Sequence, residues 1–368
     1  MKRVLLPERA NWQQAHQEIG FDYYNLPSRD GSMYWSEGVA YEFSLKQIEQ
    51  LEDASNELHQ MCLEVAGDMI QRGHYPEYFQ LPPAAIPLIE HSWKNQAPML
   101  YGRFDFAYDG QAIKMLEYNA DTPTGLLEAS VAQWHWIEQV ENIANRDQFN
   151  SIHEKLIERW KQLYPTRSRV HFAACQEAGR EDWGNLEYLM DTAFQAGLNV
   201  SELSMENIGW NGTAFVDLHQ QEIQHLFKLY PWEWIWEENF SQFLKPETEW
   251  IEPCWKMLLS NKALLIELWK RFPNHPLLLE THAYDAHAHY AGKWVRKPIL
   301  AREGANIHIL QNNVDCGAAS GSFYFDDYDK YGYVMQRWVK TPLHEGMLPT
   351  LGLWMVGDEC AGMSLRED

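Results

Sequence analysis

The 368-residue sequence predicts an α+β fold with a helical N-terminal region, a central β-hairpin and a Rossmann-like lobe. Three stretches carry that expectation. In 44–73, Leu45, Ile48, Leu51, Leu58, Cys62, Val65 and Ile70 recur near the helical period. Two aromatic and aliphatic runs, 101–107 and 113–119, flank Asp109-Gly110, which is a turn signal. The apolar strands 170–175 and 199–205 flank a helical pattern at 181–196; a helical crossover between strands implies a parallel pair.

In chain order, residues 7–19 and 44–73 read as helices, the second capped by Ser44 with Gln47 three residues on. Between them, Tyr23-Tyr24 and the run from Tyr34 to Gly38 read as packing, with a cleft wall as the alternative. Pro82-Pro83 breaks the chain before a short helix at 84–94. Helices at 125–141 and 147–164 follow the hairpin, and Pro165 ends the second. Residues 214–218 add a further strand. Trp232, Trp234 and Trp236 alternate along 230–240 and read as core. Residues 255–259 and 262–272 are helical up to Pro273, and 354–357 and 363–368 give a strand, a turn and the ending SLRED. The expected divisions are a mostly helical region at 1–98, hairpin and helices at 99–165, the Rossmann-like part at 166–230 and a last part at 231–368.

Composition narrows the function classes. A net charge of −22 makes a nucleic-acid partner a poor expectation. No apolar run reaches membrane-spanning length, and the start MKRVLLPERANW has too short an apolar stretch for a signal peptide. A cytoplasmic protein without a membrane partner is expected. The five cysteines are scattered without a CxxC, as for reduced thiols and no zinc site. Neither GxGxxG nor a Walker A loop is present. His282, Asp285, His287 and His289 lie close together, but in loop-like sequence without a partner cluster, so a transition-metal site is discounted.

The polar residues of the hairpin carry the chemistry. Arg103 and Asp105 share one face of the first strand; Glu117 and Asn119 share one face of the second. Loop parity decides whether the two faces coincide. A two-residue turn would oppose them. A three-residue loop at 109–111 would set Arg103 opposite Glu117 and leave Phe104, Phe106, Leu116 and Tyr118 behind. The odd loop is expected, because it makes an all-oxygen site from Asp105, Glu117 and Asn119. Mg²⁺ takes few protein oxygens and keeps its other positions for water and phosphate. Arg103 beside it could hold an anion bidentately. The bland alternative is a solvated hairpin face.

G-R-F-D-F followed by E-Y-N-A-D resembles the synthetase domain of the glutathionylspermidine synthase family. That resemblance implies an ATP-grasp fold with a Rossmann-like pre-ATP-grasp lobe. It further implies Mg²⁺ on Asp105, Glu117 and Asn119, with Arg103 on the acyl substrate. Thr122 and Thr124 stand where the family has small hydroxyl residues near the substrate carboxylate. Asn261-Lys262-Ala-Leu-Leu resembles the family's N-K-A-L-L, and 297–306 fits K-P-x-x-x-R-x-G-x-N. Both lysines, Lys262 and Lys297, are thereby implied to hold ATP phosphates, with Arg302, Gly304 and Asn306 in the loop after the second. Gly304 would let backbone N–H groups approach them. Residues 334–338, VMQRW, are similar to the adenine-reading segment, with Gln336 the residue named. The sequence ends on a family-like G-x-x-x-R-E-D stretch, whose Arg366 would add positive charge at the transferred phosphoryl group. The family's amidase domain is absent from this sequence.

The leading expectation is an ATP-dependent amide ligase working through an acylphosphate, on a peptide-like acid and a primary amine. Two others remain open. A glycoside hydrolase would use Asp105 and Glu117 as its carboxylate pair but leave the lysines and Asn119 idle. A relative that binds ATP or peptide without turnover would keep the same residues.

Overall fold

A computed structural model describes residues 1–368 except 28–32, 142, 144, 145, 246, 320 and 321. Its longest helix, Leu45–Arg72, is stopped at both ends by its own sequence. Ser44 Oγ accepts from Gln47 N at 3.3 Å, and Gln47 Oε1 accepts from Ser44 N at 3.1 Å; Gly73 closes the other end at φ 58°. The buried stripe of Leu51, Leu58, Cys62 and Val65 joins one core with Phe104, Phe106 and Tyr118 from the back of the hairpin. The helix expected at 7–19 is shorter, Trp12–Glu18. The residues ahead of it form a strand, Lys2–Leu5, paired antiparallel with Val39–Glu42.

Three larger sheets follow. The first is antiparallel, in the order Glu359–Glu367, Pro349–Val356, Tyr101–Tyr108, Ile113–Asn119. The closing hairpin thus lies on the central one, so the expected divisions 99–165 and 231–368 share a sheet. The second sheet is parallel throughout: Glu249–Ile251, His225–Leu229, Arg169–Ala174, Asn199–Ser204. The helix Arg180–Gln195 makes the expected crossover. Its other two strands were missed, because one is only three residues long and the other, HLFKL, interrupts its apolar pattern with Lys228. Phe215–Val216, expected to extend this run, instead pairs with Gly209–Trp210 in a separate two-stranded ribbon. The third sheet has the order Thr281–Ala283, Tyr333–Arg337, Lys293–Pro298, His308–Gln311, Val314–Ala318. Trp232–Glu237 is a helix started at Pro231; Trp232 is fully buried, while Trp234 is only half-buried.

One buried ion pair ties the first sheet to the parallel one. Glu252 accepts from the backbone N–H groups of Leu100 and Tyr101, at 3.0 and 2.9 Å, and from Lys256 Nζ at 2.5 Å. Lys256 also donates to Tyr101 O at 2.6 Å. Lys256→Met leaves the Glu252 carboxylate buried without its cation. The expected cost is about 3–5 kcal/mol, read as a lowered urea midpoint at unchanged slope.

Candidate functional site

The central hairpin reaches the expected shared face by another route. Its loop has four residues: Tyr108 is opposite Ile113, and Asp109 Oδ1 accepts from Gln111 N and Ala112 N at 2.9 and 2.7 Å. An even loop would oppose the two polar pairs. A register shift between Asp105 and Phe106 corrects this, so that Arg103 faces Asn119 and Asp105 faces Glu117. The extra residue is Leu116, which lines the cleft, and Met115 takes its expected place behind the sheet. Neighbouring elements hold the bulge. Lys297 Nζ donates to Leu116 O at 3.1 Å, Gln336 Nε2 to Met115 O at 3.3 Å, and Met115 N to Leu277 O at 2.9 Å.

On that face Arg103 lies flat against Asp105, with Nε 2.8 Å from Oδ1, and donates to Thr124 O. Arg366 NH2 reaches Asp105 Oδ2 at 2.5 Å from the closing strand. Asn119 Nδ2 donates to Asp105 and Glu117 at 3.4 and 3.2 Å. Lys262 Nζ is 3.3 Å from Glu117 Oε2 and 3.1 Å from Ala301 O. Room for Arg103 comes from Gly352, directly opposite Asp105. A Cβ there would meet Arg103 Cδ and Ser364 Oγ, both at 2.9 Å. Gly352 was not foreseen, since nothing local in a strand announces a neighbour's side chain.

Burial alone would raise the Asp105 carboxyl, but Arg103 and Arg366 hold it down at about 2. Glu117 is lowered too: burial and Asp105 act upward, and Lys262 and Lys297 outweigh them. Neither carboxyl is kept protonated, so neither is fitted to be the general acid of a glycosidase. Two ionised carboxylates and an amide that can turn its oxygen inward are instead a donor set for a hard cation. Among the described residues, no three His, Cys, Asp or Glu side chains converge as a metal cage.

The face opens onto a cavity of about 1950 Å³, above the size of ordinary single-ligand pockets. Lys297, Arg302, Gly304, Thr122, Thr124 and Arg366 all line it. Burial lowers the Lys297 ammonium to about 8, with Lys262 lowering it further against Glu117 and Asp105. Arg302 lies over the Trp234 ring at 5.6 Å and 3.7 Å from Asp182. Gly304 has φ +70°.

Two expected residues are spent elsewhere. The Asn306 amide donates to Phe325 O and Asp329 Oδ1 and accepts from Phe325 N, fixing the loop. Gln336 is buried. Its Oε1 takes a 2.7 Å hydrogen bond from Lys297, and its backbone lies between two paired strands. Gln336 therefore orients the lysine. Asp121, part of the E-Y-N-A-D run but given no role, accepts from buried Lys228 Nζ at 2.6 Å and from Trp232 N at 3.0 Å. This pair anchors the Thr122–Thr124 loop to the parallel sheet.

Residues 3–368 match the family described as "Glutathionylspermidine synthase preATP-grasp". The chain is 51% identical to a Haemophilus influenzae protein named "Putative acid--amine ligase", covering all of this chain and 95% of that one. It is 26% identical to the trypanothione synthetase of Crithidia fasciculata over 98% of this chain, spanning 59% of that protein's length. A glutathione synthetase-like effector from Globodera pallida superposes with a TM-score of 0.61 at 9% identity, over 99% of this chain and 97% of that one. That likeness gives the fold as mixed α/β of the glutathione synthetase kind. The match over residues 3–368 makes this chain a member of the glutathionylspermidine synthase preATP-grasp family.

Proposed function

We propose that this protein is an ATP-dependent acid–amine ligase built on an ATP-grasp core, with the parallel sheet as a Rossmann-like pre-ATP-grasp lobe. One observation carries the reading. Asp105, Glu117 and Asn119 meet Arg103, Arg366 and Lys297 around a single cavity, with Lys262 against Glu117, although these residues span 264 positions of sequence. The family membership and the names of the relatives agree with it.

In this reading Asp105, Glu117 and Asn119 hold Mg²⁺, which when bound neutralises charge on the ATP phosphates. Lys297 and Lys262 hold those phosphates, and the loop at Arg302 and Gly304 closes against them. The acid's carboxylate lies by Arg103, Thr122 and Thr124. Its oxygen attacks the γ-phosphorus, the bond to the β-phosphate oxygen breaks, and ADP leaves. The amine nitrogen then attacks the acylphosphate carbonyl; the carbonyl carbon–oxygen bond breaks, and phosphate and a proton depart. Arg103 faces the oxyanion of that tetrahedral intermediate, and Arg366 faces the phosphoryl group. The substrates are a peptide-like acid and a primary amine, with glutathione and spermidine the first pair to try.

The test is product analysis of ATP incubated with pooled peptides and pooled amines. ADP, phosphate and a product one water lighter than the two substrates together are expected. ATP consumed to AMP and pyrophosphate would overturn the acylphosphate route, and no consumption with any pair would leave a binder.

A further inference from the structure

We infer that Glu128, with Glu181 beside it, seats a substrate's primary ammonium group on the cleft wall next to Thr124. The inference rests on the acid–amine ligase reading for the identity of that substrate, but the site is built from its own observations.

Five carboxylates of the described residues are almost wholly buried: Glu37, Asp105, Asp121, Glu128 and Glu252. Four have a cation in contact. Arg9 pairs with Glu37, Arg103 and Arg366 with Asp105, Lys228 with Asp121, and Lys256 with Glu252. Among the described residues, Glu128 alone has no such partner. Tyr34 donates to its Oε1 at 2.5 Å, while Oε2 has no hydrogen bond and the residue lines the cavity. The buried Tyr23 hydroxyl stands close enough to lower the Glu128 carboxyl, although neither it nor Oε2 makes a hydrogen bond of ordinary geometry. An ionised carboxylate buried without a cation is costly, and a folded chain ordinarily supplies one. Here the open side faces the cleft, so an incoming ligand can supply it.

The local backbone fits a built site. Glu128 opens a widened turn, Glu128–Ala132, inside the helix that follows the Thr124 loop; such turns gather at functional positions. Glu181, at the start of the helix Arg180–Gln195, lies beside the Thr124 and Tyr34 hydroxyls, which hold its carboxyl down against burial. The backbone of Thr124 holds Arg103, so the two carboxylates stand one residue from the proposed acyl site. A primary ammonium has three donors: one for Glu128 Oε2, one for Glu181, and one for water or the Tyr23 oxygen.

Charge agrees with geometry. Burial first, then Glu181, pushes the Glu128 carboxyl up to about 7, against the hydroxyls of Tyr34 and Tyr23. The groups facing it are therefore Glu181, Tyr34 and Tyr23. Arg180, close to Tyr23, is held by Asp22 and Glu187. A cation favours the ionised form, so binding must weaken as pH falls through the carboxyl's range.

The ammonium has two sources, the amine nucleophile or the amino end of the peptide-like acid. Calorimetric titrations without ATP separate them, using 1,4-diaminobutane and glutathione as probes. Glu128→Gln keeps the shape and the Tyr34 hydrogen bond. It should weaken one probe about tenfold or more, while the other probe and Mg·ATP stay within about twofold. Wild-type affinity for the affected probe should fall between about pH 8 and pH 6, and that of Glu128→Gln should not. Tyr34→Phe keeps the charge but removes a hydrogen bond that lowers the carboxyl, so its pH midpoint should move upward. Unchanged affinity for both probes in Glu128→Gln, or no binding of either to the wild type, overturns the inference. ADP formation by the wild type tests the ligase reading separately.

Discussion

Asp105→Ala and Glu117→Gln each remove the stabilisation that Mg·ATP gives the protein, and each lowers turnover about a thousandfold or more. A ligand bound only to the native state, at a hundred times its Kd, adds about 2.7 kcal/mol of stability. Both residues are the carboxylates of the proposed Mg²⁺ site, and Asn119 cannot hold a cation alone. Heat stability without ligand is the wrong readout for this pair. Asp105 neutralises Arg103 and Arg366, and Glu117 faces Lys262, so either substitution leaves cations unpaired and changes the melt without ligand as well. The quantity to compare is the difference between melts with and without millimolar Mg·ATP, measured in each variant. A ligand-induced shift equal to wild type in both variants would remove these carboxylates from nucleotide binding.

What could be read from the chain, and what could not, follows the range of the forces involved. The helix Leu45–Arg72 was legible to within a residue, because capping and amphipathic spacing are local. The hairpin face was legible in its members but not in its means. The sequence shows that Arg103, Asp105, Glu117 and Asn119 alternate, yet the bulge that aligns them is fixed by Lys297, Gln336 and Leu277, far along the chain. Tertiary hydrogen bonds override loop parity there. The same reason explains Gln336. Its segment resembles one that reads adenine, which made it a candidate for ligand contact, but two paired neighbours and a buried lysine use up its polar groups. Asn306 was equally visible as an asparagine near the lysine expected to hold phosphate, whereas its engagement by Phe325 and Asp329 needs the loop to be folded. The seating of Pro349–Val356 on Tyr101–Tyr108 joins strands about 250 residues apart, and no periodicity encodes it.

Lys297→Ala weakens ATP binding about tenfold or more, whereas Arg103→Ala leaves it within about twofold and lowers turnover about 10²–10³-fold. In the proposed mechanism the lysine acts on phosphates already charged in the ground state. Arg103, pressed on Asp105 and Thr124, is placed by the same proposal where charge develops as the acyl carbon becomes tetrahedral. The two roles also separate by pH. Burial lowers the Lys297 ammonium to about 8 in the empty site. Its charged form predominates below that value and is lost as pH rises through it, so nucleotide binding above pH 8 must take up a proton. ATP affinity should therefore decline from about pH 7.5 to 9 in the wild type and in Arg103→Ala, and be flat in Lys297→Ala. The maximal rate at saturating ATP should do the opposite. A free primary amine titrates near 10.4, and only its neutral form attacks, so the rate rises with pH over the same range. Measuring Kd for ATP by titration and the rate at saturating ATP, across one pH series, tests both slopes together. Equal loss of ATP affinity in the two variants, or a wild-type ATP affinity independent of pH, would refute the division of labour between Lys297 and Arg103.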